Sequence, residues 1–193
     1  MLILFSRACF FALPFILAGL IHIAVIKFGF LKSLESIPLD GGATINGQPV
    51  FGKNKTLRGA ATVIISIAVF FILERIAARH FLIAAKLNVI NIALIPSIGW
   101  SVLLGVGCIV GELPNSFLKR RLNIAPGAKG EGGFLRTFFW VMDQIDSLLG
   151  VLVLASFHWR PSWGMLIALF VIAMVIHPIG GALMVGLGLK RSV

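Results

Sequence analysis

Long apolar runs at about 9–30, 60–77, 92–113, 138–157 and 163–187 alternate with polar stretches of very unequal length. A hydrocarbon layer about 30 Å thick takes roughly 20 apolar residues of helix, so each run predicts one transmembrane helix. Lipid cannot satisfy open backbone groups, which leaves helices as the form for such runs. The pattern therefore predicts an all-α integral membrane protein, a bundle of about five transmembrane helices in a single domain over 1–193. Two long loops, 31–59 and 114–137, hold the only soluble mass. The connection from Ala78 to Asn91 reads as a short surface helix, and His158 to Ser162 as a tight hairpin. No internal repeat or low-complexity tract is visible.

Composition agrees. The chain is 59% hydrophobic and 12% charged, whereas an ordinary soluble domain is roughly a quarter charged. The apolar stretch from Cys9 to Val25 follows Arg7 as a signal peptide would, but no small-residue cleavage site ends it, so it reads as the first helix. Cys9 and Cys108 lie inside apolar runs without metal-ligand spacing, and packing accounts for them.

Charge sets the orientation. With five spans, loops one and three and the C-terminus share a side. It holds Lys27, Lys32, Lys53, Lys55, Arg58, Lys119, Arg120, Arg121, Lys129, Arg136, Lys190 and Arg191, against Arg7, Arg75, Arg79, Lys86 and Arg160 opposite. Twelve against five places both long loops in the cytoplasm, the N-terminus outside, and any active site on the cytoplasmic face of the inner membrane. The net charge of +10 would suggest nucleic acid in a soluble protein. Here the bases flank apolar runs, which points to the lipid bilayer and a phosphorylated substrate, with no nucleic acid partner. Homo-oligomerisation stays open.

An Asp or Glu at mid-bilayer costs at least about 2.5–3.5 kcal/mol, so acids near spans are functional candidates. Asp143 and Asp146 are three apart and share a helix face, where their repulsion is relieved either by a divalent cation or by pairing with Arg120, Arg121 or Arg136. Hard oxygen ligands beside phosphates favour Mg²⁺. If the third helix continues through Pro114, Glu112, Ser116, Lys119 and Arg120 form one stripe of acid, hydroxyl and cations, as a metal-bound triphosphate requires. In loop one, Pro38-Leu39-Asp40-Gly41-Gly42 precedes Phe51-Gly52-Lys53-Asn54-Lys55-Thr56-Leu57-Arg58-Gly59. Small residues with Lys55, Thr56 and Arg58 at a helix start form an anion cradle, though the order is not that of a P-loop; a basic anchor in a flexible loop reads equally well. His22 and His177 interrupt spans, either as packing and kink residues or toward a lipid phosphate; His80 and His158 read as interfacial.

Taken together, these stretches resemble the CDP-archaeol synthase family, relatives of the phosphatidate cytidylyltransferases. The family's Gly-Asp-x-x-x-Ser-x-x-Lys-Arg pattern falls on Gly111, Glu112, Ser116, Lys119 and Arg120, its Asp-Gln-x-Asp on Asp143, Gln144 and Asp146, and its Lys-Thr-x-x-Gly on Lys55, Thr56 and Gly59. His177-Pro178 and Leu187 to Lys190 match more weakly. The resemblance implies five spans and a cytidylyltransferase that joins CTP to a lipid phosphate with Mg²⁺, releasing pyrophosphate. On this reading Glu112, Asp143 and Asp146 hold the metal, Lys55, Lys119 and Arg120 take phosphates, Ser116 and Thr56 orient them, Glu112, Asp143, Asp146 and Lys119 form the catalytic set, and Asp40 and Arg58 join the substrate-binding set. Glu112 stands where the family commonly has Asp, Asn46-Gly47 where Asp-Gly is common, and no Asn accompanies His177.

The same reaction on phosphatidic acid is not excluded by any residue. A CDP-alcohol phosphotransferase is, since its Asp-Gly-x-x-Ala-Arg signature is missing. From another class, a small transporter would need acids near the midplane in both halves of a repeat, whereas these acids gather at one interface. The same gathering argues against a purely structural membrane protein.

Overall fold

The computed structural model describes residues 1–90, 92–128 and 132–190. Five helices are long and apolar enough to cross a membrane: α1 (Leu2–Phe28), α3 (Leu57–His80), α5 (Leu94–Arg121), α6 (Gly133–Ala155) and α7 (Trp163–Gly186). Between them lie the short helices α2 (Lys32–Glu35) and α4 (Leu82–Leu87) and a two-stranded hairpin, β1 (Thr44–Ile45) with β2 (Gln48–Pro49). The chain is an all-α integral membrane protein, as the apolar runs predict, and α4 is the surface helix expected between the second and third spans.

The helices overrun the apolar runs. The first begins at Leu2, not 9, because its polar residues find partners: Ser6 Oγ donates to Leu2 O at 3.1 Å and Arg7 Nε to Lys86 O at 3.0 Å. The third continues through Pro114 to Arg121, and the fourth starts at Gly133, so the helices take both ends of the loop expected over 114–137. Proline removes one hydrogen bond without ending this helix. At 28 residues α5 is roughly 42 Å long, more than the hydrocarbon layer needs, and its last turn carries Lys119, Arg120 and Arg121.

Helix α5 is central, packed on α3 and α6, while α1 bridges α3 and α7. Its contact with α6 is made by glycines: a Cβ at Gly150 would lie 2.7 Å from Gly111 N, and one at Gly107 would lie 2.8 Å from Gly150 O. Side chains would force the backbones apart, so the small residues set this spacing, as they do between membrane helices generally. The apolar core fills the half of the bundle away from the long loops. There Phe11 meets Trp159 at 4.8 Å and Phe71 edge-on at 6.2 Å, and Phe71 meets Trp100 at 5.3 Å.

Loop one folds over the other end. Asn46 and Gly47 both have positive φ, 51° and 75°, the geometry of a tight hairpin turn that Asn-Gly favours. Arg121 clamps this hairpin to α5 through the carbonyls of Ile45 (2.7 Å) and Pro49 (2.8 Å). Backbone bonds Leu39 N to Lys55 O (2.8 Å) and Leu57 N to Ile37 O (2.9 Å) draw the ends of the loop together, and the Thr56 hydroxyl caps α3 by accepting from Gly59 N at 3.3 Å.

Candidate active site

Three stretches distant in sequence meet where α5 and α6 leave the apolar core. Lys55, at the end of loop one, forms an ion pair with Glu112 on α5. The other Glu112 oxygen accepts from the Ser147 hydroxyl of α6 at 2.7 Å. One turn further along α5, Asn115 Nδ2 donates to Asp143 Oδ1 at 2.7 Å and to Asp146 Oδ2 at 2.8 Å. Lys119, four residues on, pairs with Asp143. Asp146 is buried and also accepts from Ser147 N at 2.7 Å.

Helical arithmetic accounts for the arrangement. Residues 112, 115 and 119 lie on one stripe of α5, residues 143, 146 and 147 on one stripe of α6, and the glycine contact holds the stripes face to face. Three carboxylates stand against two ammonium groups, one negative charge in excess. Burial alone would push the Lys55 ammonium down, but the Glu112 carboxylate outweighs it and holds Lys55 above its ordinary value. His22 on α1 and His177 on α7 lie within electrostatic reach of Glu112.

Other residues expected at the site are placed elsewhere. The Arg58 guanidinium makes a two-pronged pair with Glu35 at 2.8 and 3.0 Å, tying α2 to α3. Arg120 is buried and donates to Ile124 O, ordering the turn after α5. Thr56 is spent on its helix cap. Asp40 braces loop one by accepting from Phe51 N (2.9 Å) and Gly42 N (3.0 Å); slight desolvation opposes these bonds, but they prevail and hold its carboxyl below the ordinary value. Ser116 is buried beside Asn115, and it is the Asn115 amide that reaches the aspartates. Asp143 and Asp146 pair with none of the arginines offered as structural partners; Lys119 takes Asp143 instead.

Asn115 and Ser147 were not singled out by the sequence, although their offsets from Glu112 and Asp143, three and four, mark both as helix-face neighbours. The proposed trio Glu112, Asp143 and Asp146 does not converge as it stands, since Lys55 and Ser147 draw Glu112 aside. Among the described residues no three carboxylate, imidazole or thiol groups form a ready metal cage. The donor chemistry nevertheless suits a hard cation: carboxylates in charge excess, and a buried Asn115 Oδ1 with no hydrogen-bond partner.

A CarS-like family model, described as CDP-archaeol synthase, matches residues 2–193. Curated relatives carry the same description. One from Thermofilum pendens is 29% identical over 155 residues, covering 79% of this chain and 64% of its own length. Others are from Halobacterium salinarum, 29% identical over 79% of this chain and 81% of the relative, and from Pyrococcus furiosus, 30% identical over 72% and 73%. No solved structure gives a significant match. The chain belongs to the CDP-archaeol synthase family of CTP:lipid-phosphate cytidylyltransferases.

Proposed function

We propose that this chain transfers CMP from CTP to an archaeol-type ether lipid phosphate at the cytoplasmic face of the inner membrane. A lipid phosphate oxygen attacks the α-phosphorus of CTP, the α–β anhydride bond breaks, and CDP-lipid and pyrophosphate are the products. The observation that carries this reading is the assembly of Lys55, Glu112, Asn115, Lys119, Asp143 and Asp146 where α5 meets α6 beside the end of loop one. Nucleotidyl transfer asks for positioning and charge stabilisation more than for covalent chemistry from protein groups.

Asp143 and Asp146, with Glu112 beside them, are the residues that would hold Mg²⁺, which supplies charge neutralisation for the triphosphate. Lys55 and Lys119 are now held by carboxylates, so they are already aimed at the cluster. When phosphate oxygens arrive, both ammonium groups exchange a carboxylate for a phosphate, and Glu112 is released toward the aspartates. The lysines thus steady the acids before binding and the developing charge during transfer. Loop one brings Lys55 to the site, and the Asp40 and Arg121 bonds keep the loop in place. Apolar helix faces around the site leave the lipid tails in the bilayer.

Purified protein is tested with CTP, Mg²⁺ and either an isoprenoid ether-lipid phosphate or phosphatidic acid, with pyrophosphate and CDP-lipid as the readout. Turnover with the ether lipid is expected. Turnover confined to phosphatidic acid overturns the lipid assignment, and turnover with neither overturns the whole reading.

A further inference from the structure

We infer that Asn115 is itself a cation ligand, its side-chain carbonyl adding an uncharged oxygen to the Asp143 and Asp146 pair. This rests on the metal-dependent reading above.

Asn115 is 4% exposed, deep enough that each polar atom of its amide needs a partner. The donor half is spent, for Nδ2 holds one oxygen of each aspartate at 2.7 and 2.8 Å. The acceptor half is not: Oδ1 is buried with no hydrogen-bond partner. The neighbouring donors turn to carboxylates instead, Lys119 to Asp143, Lys55 to Glu112, and Ser147 N to Asp146. A cluster with one negative charge in excess therefore also contains a spare, neutral, hard oxygen. Both features are met by one divalent cation.

The carboxylates point the same way. Glu112 is turned toward Lys55 and Ser147, and the described residues form no cage of three acidic, imidazole or thiol groups. Two aspartates alone are a sparse set for a hard divalent ion, which takes several oxygens. Asn115 touches both aspartates through Nδ2, and half a turn of its amide brings the carbonyl oxygen to the place the N–H groups now hold. It adds a ligand without adding charge, and so leaves room for the negative charge of a triphosphate.

The rival role is a bridge that only keeps the aspartates together through N–H bonds. Full-length protein in detergent separates the two, with Mn²⁺ binding read by electron paramagnetic resonance in place of turnover. Asn115→Ala should weaken Mn²⁺ by about 10–100-fold, the loss usual for groups that support a metal site. Asn115→Asp keeps an oxygen but no N–H, and should bind Mn²⁺ at least as tightly as the parent; a bridge predicts the reverse. In a background with Cys9→Ala and Cys108→Ala, Asn115→Cys should bind Cd²⁺ with an ultraviolet thiolate-to-cadmium band that the Asn115→Ala protein lacks. Parent-like Mn²⁺ binding by Asn115→Ala, weakened binding by Asn115→Asp, or no cadmium band overturns the assignment while leaving metal dependence standing. A parent protein that binds no Mn²⁺ even with CTP overturns the metal-dependent reading as well.

Discussion

Asp146 is the residue on which most bonds of the site converge, accepting from both Asn115 and Ser147 while buried. Asp146→Asn keeps the shape and one acceptor oxygen, so it removes the charge and one of the two accepted bonds while leaving the helix contact in place. Electrostatic groups of this kind typically account for 10²–10³ in rate. The expected result is a loss of about that size in kcat with the melting temperature lowered by only a few degrees, as losing about 1 kcal/mol of hydrogen bonding implies, and normal turnover would remove Asp146 from the site. Asp40 acts at a distance by bracing loop one. Its carboxyl is held below the ordinary value, so the folded loop binds fewer protons than the open one and its bracing rises with pH. The bracing is complete above the usual carboxylate range near 4 and fades as pH falls through the lowered value. Hydrogen exchange at Gly42 and Phe51, corrected for intrinsic rates, should be faster in Asp40→Ala than in the parent at neutral pH, and the two should converge at strongly acidic pH. An unchanged gap would show that the bonds from Asp40 do not hold the loop.

At the scale of elements, the site is a property of the contact between α5 and α6. A Cβ at Gly150 would meet Gly111 N at 2.7 Å, so Gly150→Ala must part the two helices. Overpacking of this sort costs about 1–3 kcal/mol. Because the stripes carrying Asn115 and Asp146 move apart with it, activity should fall further than stability alone explains. Gly180→Ala on α7, where nothing lies within 4 Å, is the control and should leave melting and turnover near parental values. Equal behaviour of the two variants would break the link between the glycine contact and the site. The same elements explain what was legible in the sequence. Glu112 and Lys119, and Asp143 and Asp146, stand out because charge within helical reach of an apolar run is costly and rare. Asn115 and Ser147 do not, since an uncharged polar residue in a helix costs far less than a charge and is common there. Arg120 misleads for a geometric reason: it follows Lys119 by about 100° around the helix, so only one of the two can face Asp143. The helix ends escape hydropathy because charged side chains extend a helix past the apolar layer while keeping their heads in polar surroundings.

For the whole molecule, the two ends of the bundle differ in kind. One is closed by Phe11, Phe71, Trp100 and Trp159; the other is covered by a braced loop and holds three paired acids. Contacts across the bundle put loop one, the end of α5 and the start of α6 at that same end, and Lys27 reaches Leu187 O at 3.1 Å, which adds the end of α7. The bases counted on that side that fall among the described residues are thus gathered by the fold as well as by topology, while Arg7, Arg75, Arg79, Lys86 and Arg160 remain opposite. CTP is charged and water-borne, and in the proposed reaction it reaches the basic end, so the positive-inside bias and the proposed chemistry predict the same orientation. Single cysteines in a background with Cys9→Ala and Cys108→Ala decide it. Lys53 and Arg160 are both exposed and sit at opposite ends. In sealed right-side-out vesicles a membrane-impermeant maleimide should label Arg160→Cys and spare Lys53→Cys until the membrane is opened. Reversed labelling would put the site outside, away from cytoplasmic CTP, and would defeat the proposed reaction even if every contact within the cluster were correct.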